Sequence, residues 1–321
     1  MNTAKKFCII GTPVGHSRSP ELYRRIFDER GYAGYTYEIN EIKTNEEFDS
    51  FIADMREGLW DGCNVTMPWK TAAAETMDVL LDNASLTGAV NTVVRRCGVL
   101  YGDSTDGGGM CDAIISDTGI SLKKKTVVIL GCGGAARSII AELALRQAGR
   151  ISIFCRPGKN MDLTSVLIDK IENRFNSDFL PDAEDSSEDK ASDGNGSDAD
   201  LYTGRGAAAV KDNNGFGSRS VSNGAILIDL CDYDDTQALE GSIREADILI
   251  NCTPVGMAPD TDRLPVPDTM TFPEDLIVAD AVYNPDETLL IRKARADNCR
   301  TVKGIRMLEL QAERASMLFL K

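Results

Sequence analysis

A five-residue apolar run, TVVIL (126–130), leads directly into GCGGAA (131–136) and then into a helical pattern. This strand, glycine turn and helix constrain the fold more than any other stretch. Gly131 permits the tight turn, Gly133 lets the backbone approach a pyrophosphate, and Ala136 lets the helix pack close to the strand. Gly134 and Ala135 open the helix, whose N-terminus offers N–H donors and a positive dipole to an anion. A bare G-x-G-x-x-A is weak, but here it follows a strand and opens a helix, as dinucleotide binding requires. A glycine-rich turn without a ligand is the alternative.

The same rhythm runs through the chain. Strands are expected at KKFCIIG, YTYEINEI and CNVT, and helices from Ser19-Pro20 to Glu29 and from Asn45 to Glu57. Pro68 suits the first turn of a further helix. AVNTVVRR and GVLYG read as a hairpin turning at Cys97-Gly98. Beyond TVVIL, helices are expected at 134–148 and Leu163–Phe175, with the strand ISIFC between them. Strands AILIDL, DILINC, LIVADAV and CRTVKG follow, with helices near 235–245, 286–297 and 304–319. Alternating strands and helices imply parallel sheets covered by helices, an α/β fold. The fingerprint starts near residue 126, so the first ~105 residues form a different domain from the one carrying it. Residues 181–223 lack any period and read as a disordered acidic insertion.

The net charge is −15 in 321 residues, and eight acids against one lysine fall within 181–200. Such a balance argues against nucleic acid as a partner. No run reaches the ~18 apolar residues of a membrane span, and the N-terminal apolar run is too short for a signal peptide. Nine cysteines without a CxxC pair fit free thiols in a reducing compartment, with no disulfide framework and no metal site. The expectation is a cytoplasmic protein.

Residues 61–111 hold Thr66, Lys70, Asn91 and Asp106, each beside turn-forming residues. An ionisable cluster next to a dinucleotide fingerprint points to hydride transfer at the hydroxyl of a small polar acid, with NAD or NADP. Lys70 and Asp106 are the candidates for taking the hydroxyl proton. If adjacent, they titrate as a pair, and naming one as the base is a choice of description. Taken singly, either is an ordinary surface charge. Ser17 and Ser19 are hydroxyl donors suited to a carboxylate, though Ser19 also reads as a helix cap before Pro20. His16, the only histidine, has no identifiable orienting partner and is assigned a structural or supporting role. The strand ISIFC ends at Arg156, with no acid there for a ribose 2′-hydroxyl. A guanidinium at this point suits the 2′-phosphate of NADP, and a solvated strand-end arginine is the alternative.

GTPVGHSRSP (11–20), NVTMPWK (64–70), GAVNT (88–92), GDSTDG (102–107), GCGGAAR (131–137), NCTPVGM (251–257), DAVYNP (280–285) and GIRMLELQ (304–311) together resemble the shikimate dehydrogenase family. Their order is that of the family and they cover nearly the whole chain. The resemblance implies an N-terminal α/β substrate domain and a Rossmann-type dinucleotide-binding domain with the active site in the cleft. Residues 1–105 with 300–321 would form the first, and 106–299 the second. It further implies that Ser17 and Ser19 hold the substrate carboxylate, and that Thr66, Asn91 and Gln311 bind ring hydroxyls. Lys70 and Asp106 would be the catalytic pair, with Tyr283 near the substrate. Gly131, Gly133, Gly134, Ala135, Ala136, Arg156, Thr253, Gly256 and Gly304 would serve the cofactor. The implied reaction is reversible, NADP-dependent reduction of 3-dehydroshikimate to shikimate in aromatic amino acid biosynthesis, by a monomer or homodimer. A quinate/shikimate dehydrogenase using NAD or NADP is the first alternative, and an inactive ligand-binding relative the second. One departure stands out: the family's Asn-Arg-Thr after the second cofactor strand is Cys155-Arg156-Pro157 here.

Overall fold

The computed structural model describes residues 4–15, 17–177, 210–211, 217–221 and 226–320. The first elements are β1 (Lys6–Gly11), α1 (Ser19–Glu29), β2 (Thr36–Glu41), α2 (Asn45–Glu57), β3 (Gly62–Val65), α3 (Lys70–Thr76), β4 (Val79–Leu80), α4 (Asp82–Thr87), β5 (Thr92–Arg96) and β6 (Val99–Asp103). They build a six-stranded sheet in the order β2-β1-β3-β5-β6-β4. β1, β2 and β3 run parallel, and β5 lies antiparallel to both β3 and β6. The β5–β6 hairpin turns at Cys97 (φ 51°) and Gly98 (φ 82°), two left-handed residues as a type I′ turn demands.

α5 (Asp106–Thr118) crosses to the second sheet, built with β7 (Thr126–Leu130), α6 (Gly134–Leu145), β8 (Arg150–Cys155), α7 (Lys159–Ser177), β9 (Val210–Lys211), β10 (Gly217–Val221), β11 (Ile226–Asp232), α8 (Thr236–Glu245), β12 (Ile248–Asn251), β13 (Ile277–Asp280), α9 (Leu289–Ala296) and β14 (Arg300–Val302). The strand order is β14-β13-β12-β7-β8-β11-β10-β9. From β14 to β11 all strands are parallel, and the order reverses beside β7, so the crevice above β7 and β12 is the switch point where α/β sheets take nucleotides. Helices cover both faces. Val127 and Ile129 enter one core, and Val128 and Leu130 the other. α10 (Gly304–Phe319) returns to the first sheet, where Phe319 stacks on Phe7 at 4.5 Å between centroids.

Two glycines of α5 set the junction between the sheets. A Cβ on Gly107 would stand 2.0 Å from the Ser138 carbonyl oxygen of α6, and one on Gly109 2.6 Å from the Gln311 Cβ of α10. Their absence of side chains lets α5 touch both helices at once. Consecutive glycines weaken an isolated helix, so the DGGGM stretch did not suggest α5 from sequence; packing overrides propensity here.

Other boundaries also differ from expectation. Pro68 lies outside the helix, which begins at Lys70 with Trp69 as its cap residue. Trp69 is held by its backbone N–H to Thr66 O (3.0 Å) and its indole N–H to Ile42 O (2.9 Å). α6 stops at Leu145, three residues short of 148, and α7 runs from Lys159 to Ser177, beyond both expected ends. β14 pairs with β13, so residues 300–302 belong to the second sheet and the return to the first begins with α10. Most of the 181–223 insertion lies outside the described residues. Its described parts are β9 and β10, antiparallel additions to the edge of the sheet (Gly217↔Leu230 to Val221↔Ile226). The polar sequence GSRSV has no apolar period, which is why β10 was not foreseen.

Candidate active site

A cavity of about 210 Å3 lies at this junction. Ser17, Ser19, Thr66, Lys70, Asn91, Asp106, Tyr283 and Gln311 all line it, although they come from six separate segments of chain. Its small size suits a small, polar molecule rather than a drug-sized one, for which roughly 300–1,000 Å3 is usual.

Lys70 opens α3 and Asp106 opens α5. Lys70 Nζ donates to Asp106 Oδ2 at 2.5 Å, with the two side chains 22% and 13% exposed. The charge-assisted pair therefore stands at a cavity wall rather than in open solvent. Asp106 Oδ1 accepts from Asn91 Nδ2 at 2.8 Å. Asn91 is fixed in turn, its Oδ1 accepting from the Thr105 backbone N–H (2.8 Å), and its Nδ2 also donating to Gln311 Oε1 (3.2 Å). The pair is held by a partly buried network that reaches α10.

Ser19 is not a cap: Arg18 occupies that position, and no side chain caps the helix. Ser17 Oγ instead donates to Ser19 Oγ at 3.1 Å and accepts from the Ser19 N–H at 3.2 Å, placing two hydroxyls together at the start of α1. Tyr283, 42% exposed, sits at the rim. His16 lies outside the described residues.

Asn64 also lines the cavity and was not singled out in sequence. It is buried on β3, accepts from Tyr37 OH at 2.7 Å, and donates to Asn91 O at 3.1 Å. An amide inside an otherwise apolar strand was the available signal.

A second cavity, of about 520 Å3, opens beside the glycine turn. Gly131, Arg156 and Thr253 line it, joined by Lys159, Asn160, Tyr233 and Arg263, which the sequence reading had not included. Ala135 and Gly304 line the first cavity instead, and Gly133, Gly134, Ala136 and Gly256 line neither. Gly304 has a packing reason to be glycine, since a Cβ there would meet Val282 O at 2.4 Å. Gly131 needs its left-handed φ of 95°. A Cβ on Gly133 or Gly134 would meet nothing within 4 Å, so open space lies over the helix N-terminus, as a bound pyrophosphate needs. Arg156 lies over the Tyr233 ring (5.4 Å to the centroid) and is largely exposed. These residues fit a dinucleotide with an extra phosphate at the β8 end.

A hub of buried polar side chains lies behind Thr253 of the second cavity. Thr253 donates to Asn251 Oδ1 from its backbone N–H (3.0 Å) and its hydroxyl (2.7 Å). Asn251 Nδ2 donates to Asp280 Oδ1 (2.9 Å), and Thr288 Oγ1 donates to Asp280 Oδ2 (2.6 Å). Burial pushes the Asp280 carboxyl above the usual carboxylate range, against the lowering effect of these donors.

Residues 9–93 match the family described as shikimate dehydrogenase substrate binding domain. The shikimate dehydrogenase (NADP(+)) of Streptococcus pneumoniae (strain JJA) is 32% identical over 311 residues, covering 97% of this chain and 89% of that one. The crystal structure of shikimate 5-dehydrogenase from Listeria monocytogenes in complex with shikimate and NAD superposes with a TM-score of 0.78, at 28% identity, covering 100% of this chain and 93% of that one. A shikimate dehydrogenase in complex with NADP+ superposes with a TM-score of 0.74, at 27% identity, covering 98% of this chain and 90% of that one.

Proposed function

The chain belongs to the shikimate dehydrogenase family, and from that premise we propose that its smaller cavity holds shikimate or 3-dehydroshikimate and that Lys70 and Asp106 carry the proton. The protein is an NAD(P)-dependent oxidoreductase acting on a CH–OH group, with NADP as the cofactor and a place in aromatic biosynthesis. The observation that carries the assignment of residues is the Lys70–Asp106 contact of 2.5 Å inside a cavity that also presents the hydroxyls of Ser17, Ser19 and Thr66 and the amides of Asn64, Asn91 and Gln311.

When bound, the nicotinamide supplies the hydride acceptor or donor. The protein's own contribution is orientation and proton transfer. Ser17 and Ser19 meet the substrate carboxylate at the start of α1. Asn64, Thr66, Asn91 and Gln311 offer donors and acceptors to ring hydroxyls, a pattern that rejects molecules lacking them. The reacting hydroxyl stands at the Lys70–Asp106 pair, which takes its proton during oxidation and returns it during reduction. The two act as a unit, and Asn91 fixes the Asp106 carboxylate by donating to its Oδ1. Gly131, Gly133 and Gly134 would form the cradle for the pyrophosphate, with the buried Ala136 packing the helix close beneath it, and Thr253 and Gly256 lie on the loop beside it. Arg156 would meet the 2′-phosphate of a bound NADP.

In this reading the unit ending near residue 105, rejoined by α10, holds the substrate, and the unit from α5 to β14 holds the nucleotide. The nine free cysteines suit a reducing cytoplasm. The test is reduced-nicotinamide absorbance with shikimate or quinate, each with NADP+ or NAD+. Turnover with shikimate and NADP+ is expected. Turnover with quinate or NAD+ alone would move the assignment to the broader relatives, and silence in all four mixtures would support a binding protein.

A further inference from the structure

Among the described residues, three charged side chains line the smaller cavity: Arg18, Lys70 and Asp106. Lys70 and Asp106 face each other at 2.5 Å, so their charges offset. The cavity's net charge therefore comes from Arg18. Its side chain is exposed and forms no ion pair among the described residues. It lies between Ser17 and Ser19 and lines both the cavity and an outer groove of about 380 Å3 along α1 and α10. The N-terminus of the 11-residue helix α1 adds positive potential at the same place.

We propose that Arg18 is the counter-ion of the substrate carboxylate and makes the cavity selective for an acid over its neutral analogue. Two serine hydroxyls can orient a carboxylate, but they do not offset its charge as it leaves water. A guanidinium at the mouth does, and it also draws an anion towards a protein whose overall charge is −15. The inference rests on the shikimate reading for the identity of the acid.

The test is calorimetric binding of shikimate and of its methyl ester, to wild type, R18Q and R18K. Because binding is measured directly, failure of turnover and failure of this inference are separate results. Wild type is expected to prefer the acid. In R18Q that preference falls about tenfold, and R18K restores most of it. Added salt is expected to weaken acid binding in wild type more than in R18Q. An acid-to-ester preference unchanged in R18Q, or absent in wild type, would overturn the proposal.

Discussion

Asn91 and Gln311 are 220 positions apart in the chain, yet the Asn91 amide donates to Gln311 Oε1 at 3.2 Å. The contact ties the approach to the β5–β6 hairpin to the last helix, at the point where Asn91 also holds Asp106. Thr105 Oγ1 donates to the same Gln311 oxygen at 3.2 Å. Replacing Gln311 with alanine removes both partners and a candidate hydrogen bond to the ring. The Gln311→Ala variant is expected to lose about tenfold in kcat/KM for shikimate. Steady-state kinetics checks this, and a value equal to wild type would remove Gln311 from the site.

Gly107 is a packing residue. A methyl group there would press on the Ser138 carbonyl at 2.0 Å, with helix backbone on both sides. Gly107→Ala is expected to cost about 3 kcal/mol or more in stability, or to prevent folding. Gly119→Ala is the comparison, since it meets nothing within 4 Å and strains only a helix end at φ 73°. Denaturant unfolding should rank Gly107→Ala as clearly the worse of the two.

Arg156 is the candidate for choosing between cofactors. Arg156→Gln is expected to raise the Kd for NADPH about tenfold while moving that for NADH much less. Cofactor fluorescence titration reads both. Equal losses for the two cofactors would place Arg156 away from the 2′-phosphate and give that role to Lys159 or Arg263.

Asp112 couples α5 to its neighbours, accepting from Arg314 Nε (2.5 Å) on α10 and from Arg146 Nη2 (2.7 Å) beyond α6. Burial raises its carboxyl, but Arg314 and Arg146 together hold it below the ordinary value of 3.8. The folded state thus favours the ionised form. That stabilisation is present above pH 3.8 and is lost as the pH falls through the lower folded value. Asp112→Asn is expected to be about 1–2 kcal/mol less stable than wild type at neutral pH, with the gap closing in acid. Urea unfolding across pH checks this, and a gap constant down to about pH 3 would contradict it.

Much of the fold was legible where periodicity or turn chemistry is local. The Cys97-Gly98 hairpin and the strand before Gly131 follow from alternation and glycine placement. α2 shows the same: Thr44 and Glu47 cap each other, and Gly58 closes the helix at φ 89°. α5 was hidden because its glycines serve contacts with α6 and α10 that no local pattern shows. β10 was hidden because its pairing with β11 gives polar residues a strand conformation. In the site, the family motifs carried Lys70, Asp106 and the two serines. Asn64 was missed although its amide stands out in an apolar strand and opens a family motif, whereas Arg263 was missed because folding alone brings it to the second cavity.

The central claim is that Lys70 and Asp106 act as one proton-transfer unit. The measurement that tests it most directly is kcat for shikimate oxidation in wild type, K70A, D106N and the double variant, with circular dichroism to confirm folding. Each single change is expected to lower kcat by about 10²–10⁴-fold, and the double variant to fall little further than the worse single one. Folded single variants that turn over as fast as wild type, or losses that simply multiply in the double variant, would contradict it.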